Sequence, residues 1–278
     1  MKKYIFLLMA ITTFTNGISQ NYKMMTYNLR LDVTSDGENA WKNRKDFLSK
    51  QVLFFAPDIM GVQEAKPNQM EDLKKSLTNY AAIGLGRDGD QKGEHSSIFY
   101  NTKKFKVEQV NTFWLSPTPD KVSMGWDAAY PRICTYALFT DIEKHTKIWF
   151  FNTHLDHIGP LAQLNGMKQI EQKIAEVNTK KYPVILTGDF NVEPDSELIK
   201  ELSQIMVNTQ SAAQLTFGPS GSFNGFKFNE PVTRKIDYIF TSNSKKIKVH
   251  KYAVLSESID LKYPSDHFPI YVDLSIDK

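Results

Sequence analysis

Residues 59–65 read IMGVQEA, a nearly continuous apolar run that stops at Gln63-Glu64. A strand with one wet face alternates apolar and polar residues, whereas a strand covered on both faces does not, so this run reads as a buried strand. Upstream, DGENAWKNRKDFLSKQVLFFAPD sets Trp41, Phe47, Leu48, Val52 and Phe55 close to helical spacing and ends at Ala56-Pro57, a helix with its stop signal. Downstream, Met70, Leu73 and Leu77 mark a second helix over 67–79. A buried strand held between two helices is the unit of a layered α/β fold.

The same rhythm extends in both directions. YKMMTYNLRL (22–31) reads as a first strand, and further strands are expected near 80–85, 96–101, 107–115, 133–140 and 147–153. A longer helix is expected over 160–178, with Leu161, Leu164, Met167, Ile170, Ile174 and Val177 on one face. PVILTGDF (183–190) is another buried strand, followed by a helix over 195–205 and strands at 236–241, 246–255 and 268–274. No Gly/Ser/Pro linker and no short-period repeat divides the 278 residues, so residues 20–278 are read as one domain.

The first 19 residues stand apart. MKKYIFLLMAITTFTNGIS has two lysines, an apolar stretch from Tyr4 to Phe14, and small residues at Gly17 and Ser19, the pattern of a cleavable signal peptide. Its apolar run is much shorter than the roughly 20 residues a spanning helix needs. The expected mature chain starts near Gln20 and is periplasmic or secreted, with no transmembrane segment. Loss of Lys2 and Lys3 would take the net charge from +3 to +1, which argues against the clustered basic surface that non-specific nucleic-acid binding requires. The single cysteine, Cys134 in RICTYALF, lacks an activating neighbour and reads as a core residue.

Polar residues of one chemical kind recur where the apolar strands stop or start: Asn28 in TYNLR, Glu64 in GVQEA, His154 in NTHLDH, Asp189 and Asn191 in GDFN, Asp237 in KIDYIF, and Asp266-His267 in SDHFPI. In layered α/β folds, ligands bind along one edge of the sheet, where such positions gather. Carboxylates and amide oxygens suit a hard cation such as Mg2+ or Mn2+, and histidines move protons. That inventory fits metal-assisted hydrolysis of a phosphate ester.

VQE (62–64), NTHLDH (152–157), GDFN (188–191), IDYIF (236–240) and SDHFPI (265–270), in this order, resemble the motifs of the endonuclease/exonuclease/phosphatase superfamily, and GENAWKNRKDFL and GWDAAYPRICTYALF look like an exported bacterial subgroup of it. The resemblance, running from about Lys23 to Leu274, implies a DNase I-like four-layer α/β sandwich: two facing mixed β-sheets flanked by helices. It implies that Glu64 is the main metal ligand with Asn28 and Asp266 as companions, and that His267, oriented by Asp237, contacts the scissile phosphate. By the same resemblance Asp189 activates the attacking water, Asn191 positions phosphate, and His154 is the second active-site histidine. Where abasic-site endonucleases carry an Asp, this chain has Arg30, which argues against a second metal site and against DNA repair.

Arg132 in YPRICTY is the cation expected near the substrate phosphate, and Trp126-Asp127 belong to a loop that could shape the pocket. The expected activity is that of an exported Mg2+- or Mn2+-dependent phosphoric ester hydrolase, acting as a monomer on a phosphodiester or phosphomonoester. A secreted nuclease and a sphingomyelinase or phospholipase C-like enzyme are the alternative substrates' readings. A zinc hydrolase built on NTHLDH is the alternative chemistry, weakened because Asn152 stands where that motif has its first histidine.

Overall fold

The computed structural model describes residues 20–277, so the expected signal peptide lies outside the described residues. The first half of the chain forms strands β1 (Gln20–Asn28), β2 (Ile59–Gln63), β3 (Tyr80–Ile83), β4 (Ile98–Asn101), β5 (Phe105–Trp114) and β6 (Ile133–Asp141), with helices α1 (Trp41–Phe55) and α2 (Pro67–Ser76). The second half adds β7 (Lys147–His154), α3 (Pro160–Val177), β8 (Val184–Asp189), α4 (Glu197–Ile205), β9 (Met206–Asn208), α5 (Thr209–Ala212), β10 (Leu215–Phe217), β11 (Asp237–Ser242), β12 (Ile247–Val254) and β13 (Ile270–Ile276).

These strands make two mixed sheets, β10-β12-β13-β1-β2-β4-β3 and β5-β6-β7-β8-β11-β9. Each has a parallel pair near its middle, β1 with β2 and β7 with β8, and the first has another at its edge, β10 with β12. The sheets face each other across a core containing Met24, Ile59, Phe150, Ile185 and Ile270. On the outer face of the first sheet, Met25, Tyr27, Met60 and Val62 pack under Leu48 and Val52 of α1 and Met70 and Leu73 of α2. On the outer face of the second, Trp149, Phe151 and Leu186 pack under Met167 and Ile170 of α3 and Leu198 and Leu202 of α4. The order helices, sheet, sheet, helices is the expected four-layer sandwich. The lack of alternation in IMGVQ follows from it, because both faces of β2 are covered.

At their upper ends the two sheets are bolted together by polar side chains. Asn152 of β7 donates to the carbonyls of Val62 at 2.8 Å and Ser97 at 3.0 Å, and its Oδ1 accepts from Gln63 Nε2 at 2.6 Å and Thr187 Oγ1 at 3.1 Å. Gly61 makes room for it: a Cβ there would stand 2.3 Å from Asn152 Oδ1.

Three details differ from expectation. β1 ends at Asn28 rather than at 31, because the buried Arg44 guanidinium takes the carbonyls of Leu29 at 2.5 Å and Arg30 at 2.6 Å away from any ladder. Leu161 is exposed at the start of α3, and Ala162 and Gly166 turn inward instead, with Gly166 close against Leu115. The short β9, α5 and β10 carry too few residues to show a period and went unpredicted. Cys134 is buried in the core, which pushes its thiol well above the ordinary range. Among the described residues no helix is long and apolar enough to cross a membrane.

Candidate active site

Strand register assembles the site. His154, Asp189 and Asp237 are Cα partners across three adjacent strands, β7, β8 and β11. On the facing sheet Asn28 pairs with Gln63, and Glu64 follows immediately. The backbone leaves the strands sharply here: Arg30, Glu64 and Asn191 have φ of 55°, 62° and 54°. Left-handed backbone costs a non-glycine residue about 1–2 kcal/mol. Local hydrogen bonds offset this: Leu31 N–H donates to Glu64 Oε2 at 2.9 Å, Arg30 N–H to Asn28 Oδ1 at 3.0 Å, and Asn191 N–H to Asp189 Oδ1 at 2.9 Å.

Asn28 joins the two sheets at this point, its Nδ2 donating to Glu64 Oε1 and Asp189 Oδ2 at 3.0 Å each. In this arrangement it presents amide hydrogens, not its oxygen, to the carboxylates. Asp189 is the hub, with His154 Nε2 at 3.6 Å and His267 Nε2 at 3.8 Å from its Oδ2. On the other side of His267, Nδ1 lies 2.9 Å from Asp237 Oδ2, which also accepts from Ser222 Oγ at 2.6 Å.

Electrostatics set the two histidines apart. Burial alone would lower the His267 pKa, but Asp237, Asp266 and Asp189 outweigh it and push it up to about 10, which favours the charged ring. His154 is held well below its ordinary value by burial, reinforced by Arg132 and the charge on His267, and stays neutral. Burial raises the carboxyls of Asp189 and Asp266, with Asp237 adding to the first and Glu64 to the second. The result is a charged and a neutral imidazole beside poorly solvated carboxylates.

The donor set fits a divalent cation. Ligand atoms of Glu64, Asp189 and His267 lie within 4.8 Å of one another. The oxygens of Glu64 and Asp189 belong to this group, and the buried Asp266 carboxylate lies near enough to feel the charge of Glu64. Oxygen donors of this kind are what Mg2+ and Mn2+ prefer.

These residues floor a pocket of about 570 Å³ walled by Arg30, Arg87, Tyr130, Arg132, His157 and Arg234. Arg132 lies on the wall as expected, buried, its Nε 3.2 Å from Asp156 Oδ2 and its Nη2 3.0 Å from His157 Nδ1. Arg30 pairs through two contacts with Asp36 and stands 3.8 Å from Asp266, so a fixed positive charge occupies the side of the site where abasic-site endonucleases carry an acid. Trp126 and Asp127 do not line the pocket. Asp127 instead accepts from the Ala162 N–H at 2.7 Å, capping the start of α3, and the loop's contribution to the wall is Tyr130.

The NTHLDH segment does not converge as a zinc motif would. Asn152 is spent between the sheets, Asp156 accepts from the amides of Ile158 and Gly159 as well as from Arg132, and His157 stacks on Tyr130. His250, the remaining downstream histidine, bonds Ser275 at 2.8 Å.

Four supporting residues carried no sequence signal. Ser222 holds Asp237. Arg44 bridges Leu29 and Pro264, tying the end of β1 to the SDH segment. Gln69 binds the Arg30 carbonyl and the Asp32 amide at 2.9 Å each, fixing the loop after β1. Arg87 reaches the pocket from a hairpin between β3 and β4. Each acts across many residues of sequence, and an isolated Ser, Gln or Arg has no spacing to betray it.

The chain matches known proteins over most of its length. The model of the Endonuclease/Exonuclease/phosphatase family matches residues 25–267. An endonuclease/exonuclease/phosphatase family protein of Bacteroides thetaiotaomicron is 35% identical, with 93% of this chain and 99% of that one covered and a TM-score of 0.88. A mannosyl-6-phosphatase of the same organism is 37% identical, with 91% and 99% covered and a TM-score of 0.87. A Bacteroides vulgatus member is 33% identical, with 93% and 100% covered and a TM-score of 0.87.

Proposed function

The chain belongs to the endonuclease/exonuclease/phosphatase family and is a phosphoesterase of that kind; from this premise we propose that it is an exported, divalent-metal-dependent phosphomonoesterase. The observation that carries the reading is the charge layout: a floor of carboxylates with His267 among them, under a wall bearing Arg30, Arg132 and Arg234, while the charge of Arg87 is taken up by Glu94. A terminal phosphate carries more negative charge than a diester, and several guanidinium groups around one pocket match it. The 37% identity to a mannosyl-6-phosphatase supports the same choice.

In the proposed mechanism Glu64, with Asp266, would hold a Mg2+ or Mn2+ ion, which when bound neutralises charge on the phosphate oxygens. His267 donates from Nε2 to a phosphate oxygen and stabilises the charge that grows there, and Asp237 keeps the ring protonated and aimed. Asp189, made more basic by burial, takes the proton from the attacking water as the P–O bond to the alcohol breaks, and the departing alkoxide takes a proton from solvent. Neutral His154 stands beside Asp189, its Nε2 3.6 Å from the carboxylate, Asn191 orients the phosphate, and Arg132 pairs with a peripheral oxygen. Asn28 keeps the carboxylates of the two sheets at a fixed separation through its paired hydrogen bonds.

Turnover of phenyl phosphate and bis-phenyl phosphate by purified protein, with Mg2+, Mn2+, Zn2+ or EDTA, tests this. Monoester cleavage with Mg2+ or Mn2+, abolished by EDTA, is expected; inertness under all conditions, or a preference for the diester, would overturn it. Export rests on MKKYIFLLMAITTFTNGIS. Amino-terminal sequencing of the protein made from the full chain in a bacterium should find a start near Gln20, and an intact Met1 would argue against export.

A further inference from the structure

A carboxylate on the wall of a phosphate pocket needs a reason. Glu94 lines the pocket, and an acceptor-only group cannot approach a phosphate oxygen without repulsion. It reaches the site on a hairpin, residues 86–95, that turns through Gly89, Asp90 and Gly93, all with positive φ. Arg87 N–H donates to the Glu94 carbonyl at 2.9 Å, and His95 N–H to the Ala65 carbonyl at 2.8 Å, which pins the hairpin beside Glu64. Trp114 Nε1 holds the Arg87 carbonyl at 2.8 Å.

The side chains are as ordered as the backbone. Arg87 Nη2 lies 2.7 Å from Glu94 Oε1, and the guanidinium sits over Tyr130, 4.7 Å from the ring centre. Tyr130 stacks on His157, and His157 meets Arg132. The wall is therefore linked by contacts from Glu94 to Arg132. Arg87 Nε is buried and has no hydrogen-bond partner among the described residues.

Arg132 and His267 already serve the phosphate, so this paired donor and acceptor stand beside the alcohol that leaves. A guanidinium can donate to one hydroxyl oxygen while the carboxylate accepts from the next hydroxyl, and a half-exposed tyrosine offers apolar surface to a ring. An aryl or alkyl group has no hydroxyls for the guanidinium or the carboxylate. We infer that Arg87 and Glu94, with Tyr130 alongside, read adjacent hydroxyls on the leaving alcohol, making phosphomonoesters of polyhydroxylated rings such as hexoses the preferred substrates. The inference rests on the phosphomonoesterase reading above.

The test compares a hexose 6-phosphate with phenyl phosphate, using the protein with its divalent cation, in wild type, Glu94→Gln and Arg87→Met. Wild type should prefer the hexose ester, and each variant should lose about tenfold to a hundredfold on it, mostly in KM, because the substrate hydroxyls lose their partners. Phenyl phosphate kinetics should stay unchanged, which a mere collapse of the hairpin would not allow. Activity on phenyl phosphate without a hexose preference, or equal losses on both substrates, overturns the inference and leaves the phosphomonoesterase reading standing. Inertness of wild type on both esters overturns the two together.

Discussion

The spacing between the two halves of the site depends on Gly61. A Cβ at this position would lie 2.3 Å from Asn152 Oδ1, 2.5 Å from its Cγ and 2.6 Å from Thr187 Oγ1. Asn152 cannot retreat cheaply, because its amide is fully buried and makes four hydrogen bonds, to Val62, Ser97, Gln63 and Thr187. Gly61→Ala must therefore part the sheets or rotate Asn152. Overpacking a core costs about 1–3 kcal/mol, and each buried polar group left unpaired costs about 1–3 kcal/mol. The reduced entropy of the unfolded chain returns only about 0.4–1 kcal/mol. With one or two bonds lost, the net destabilisation is about 3–5 kcal/mol. In a urea titration at 25 °C that is a fall in midpoint of about 1–2 M. The double variant Gly61→Ala/Asn152→Ala removes the clashing atoms, and it should be more stable than the sum of its two single variants requires. Gly61→Ala within about 1 kcal/mol of wild type, or strict additivity in the double variant, would refute the interlock.

Other outcomes follow from the site. His267→Ala and Glu64→Ala should each lower phosphomonoester turnover by about a hundredfold or more while the far-ultraviolet spectrum is kept; near-wild-type turnover would remove them from the mechanism. Ser222→Ala strips one of two partners from Asp237 Oδ2, whose other oxygen already has none among the described residues. A loss of about 1–3 kcal/mol in stability with a drop in kcat is expected, and unchanged kcat would show that Asp237 aims His267 unaided. Lys235, on the strand side of the same loop, is buried, which depresses its pKa to about 8 despite Asp237. The folded state therefore releases this proton near pH 8 and the unfolded chain only near 10.5, so the penalty is full below pH 8 and fades as pH rises. Between pH 7.5 and 9.5 wild type should gain about 2 kcal/mol relative to Lys235→Met, measured by denaturation at each pH; a constant difference would mean the amine is not buried as described.

How much was readable depended on the range of the interaction. Apolar runs such as IMGVQ and PVILTG betray strands covered on both faces, because burial acts on each residue's own hydrophobicity. Glu64, His154, Asp189, Asp237 and His267 stood out for a related reason: an ionisable residue at either end of an apolar run is costly unless it has a use, and these five share one chemistry. The start of α3 misled, because helical spacing leaves neighbouring positions such as Leu161 and Ala162 equally eligible near a helix end. Asn152 misled differently, looking like a defective metal motif while serving as the bolt between sheets.

The amino-acid sequence by itself determined the layered α/β class and the chemical inventory offered for the site, since those follow from local composition and period. Only the tertiary structure decided which histidine is charged, that Asn28 turns its amide hydrogens to two carboxylates, and that Arg87 and Glu94 join the pocket. Those are properties of pairs: a pKa or a hydrogen bond is set by whatever lies a few ångströms away in space. The partners of Asn28, Arg87 and His267 come from different elements of the chain, where no sequence periodicity records their approach.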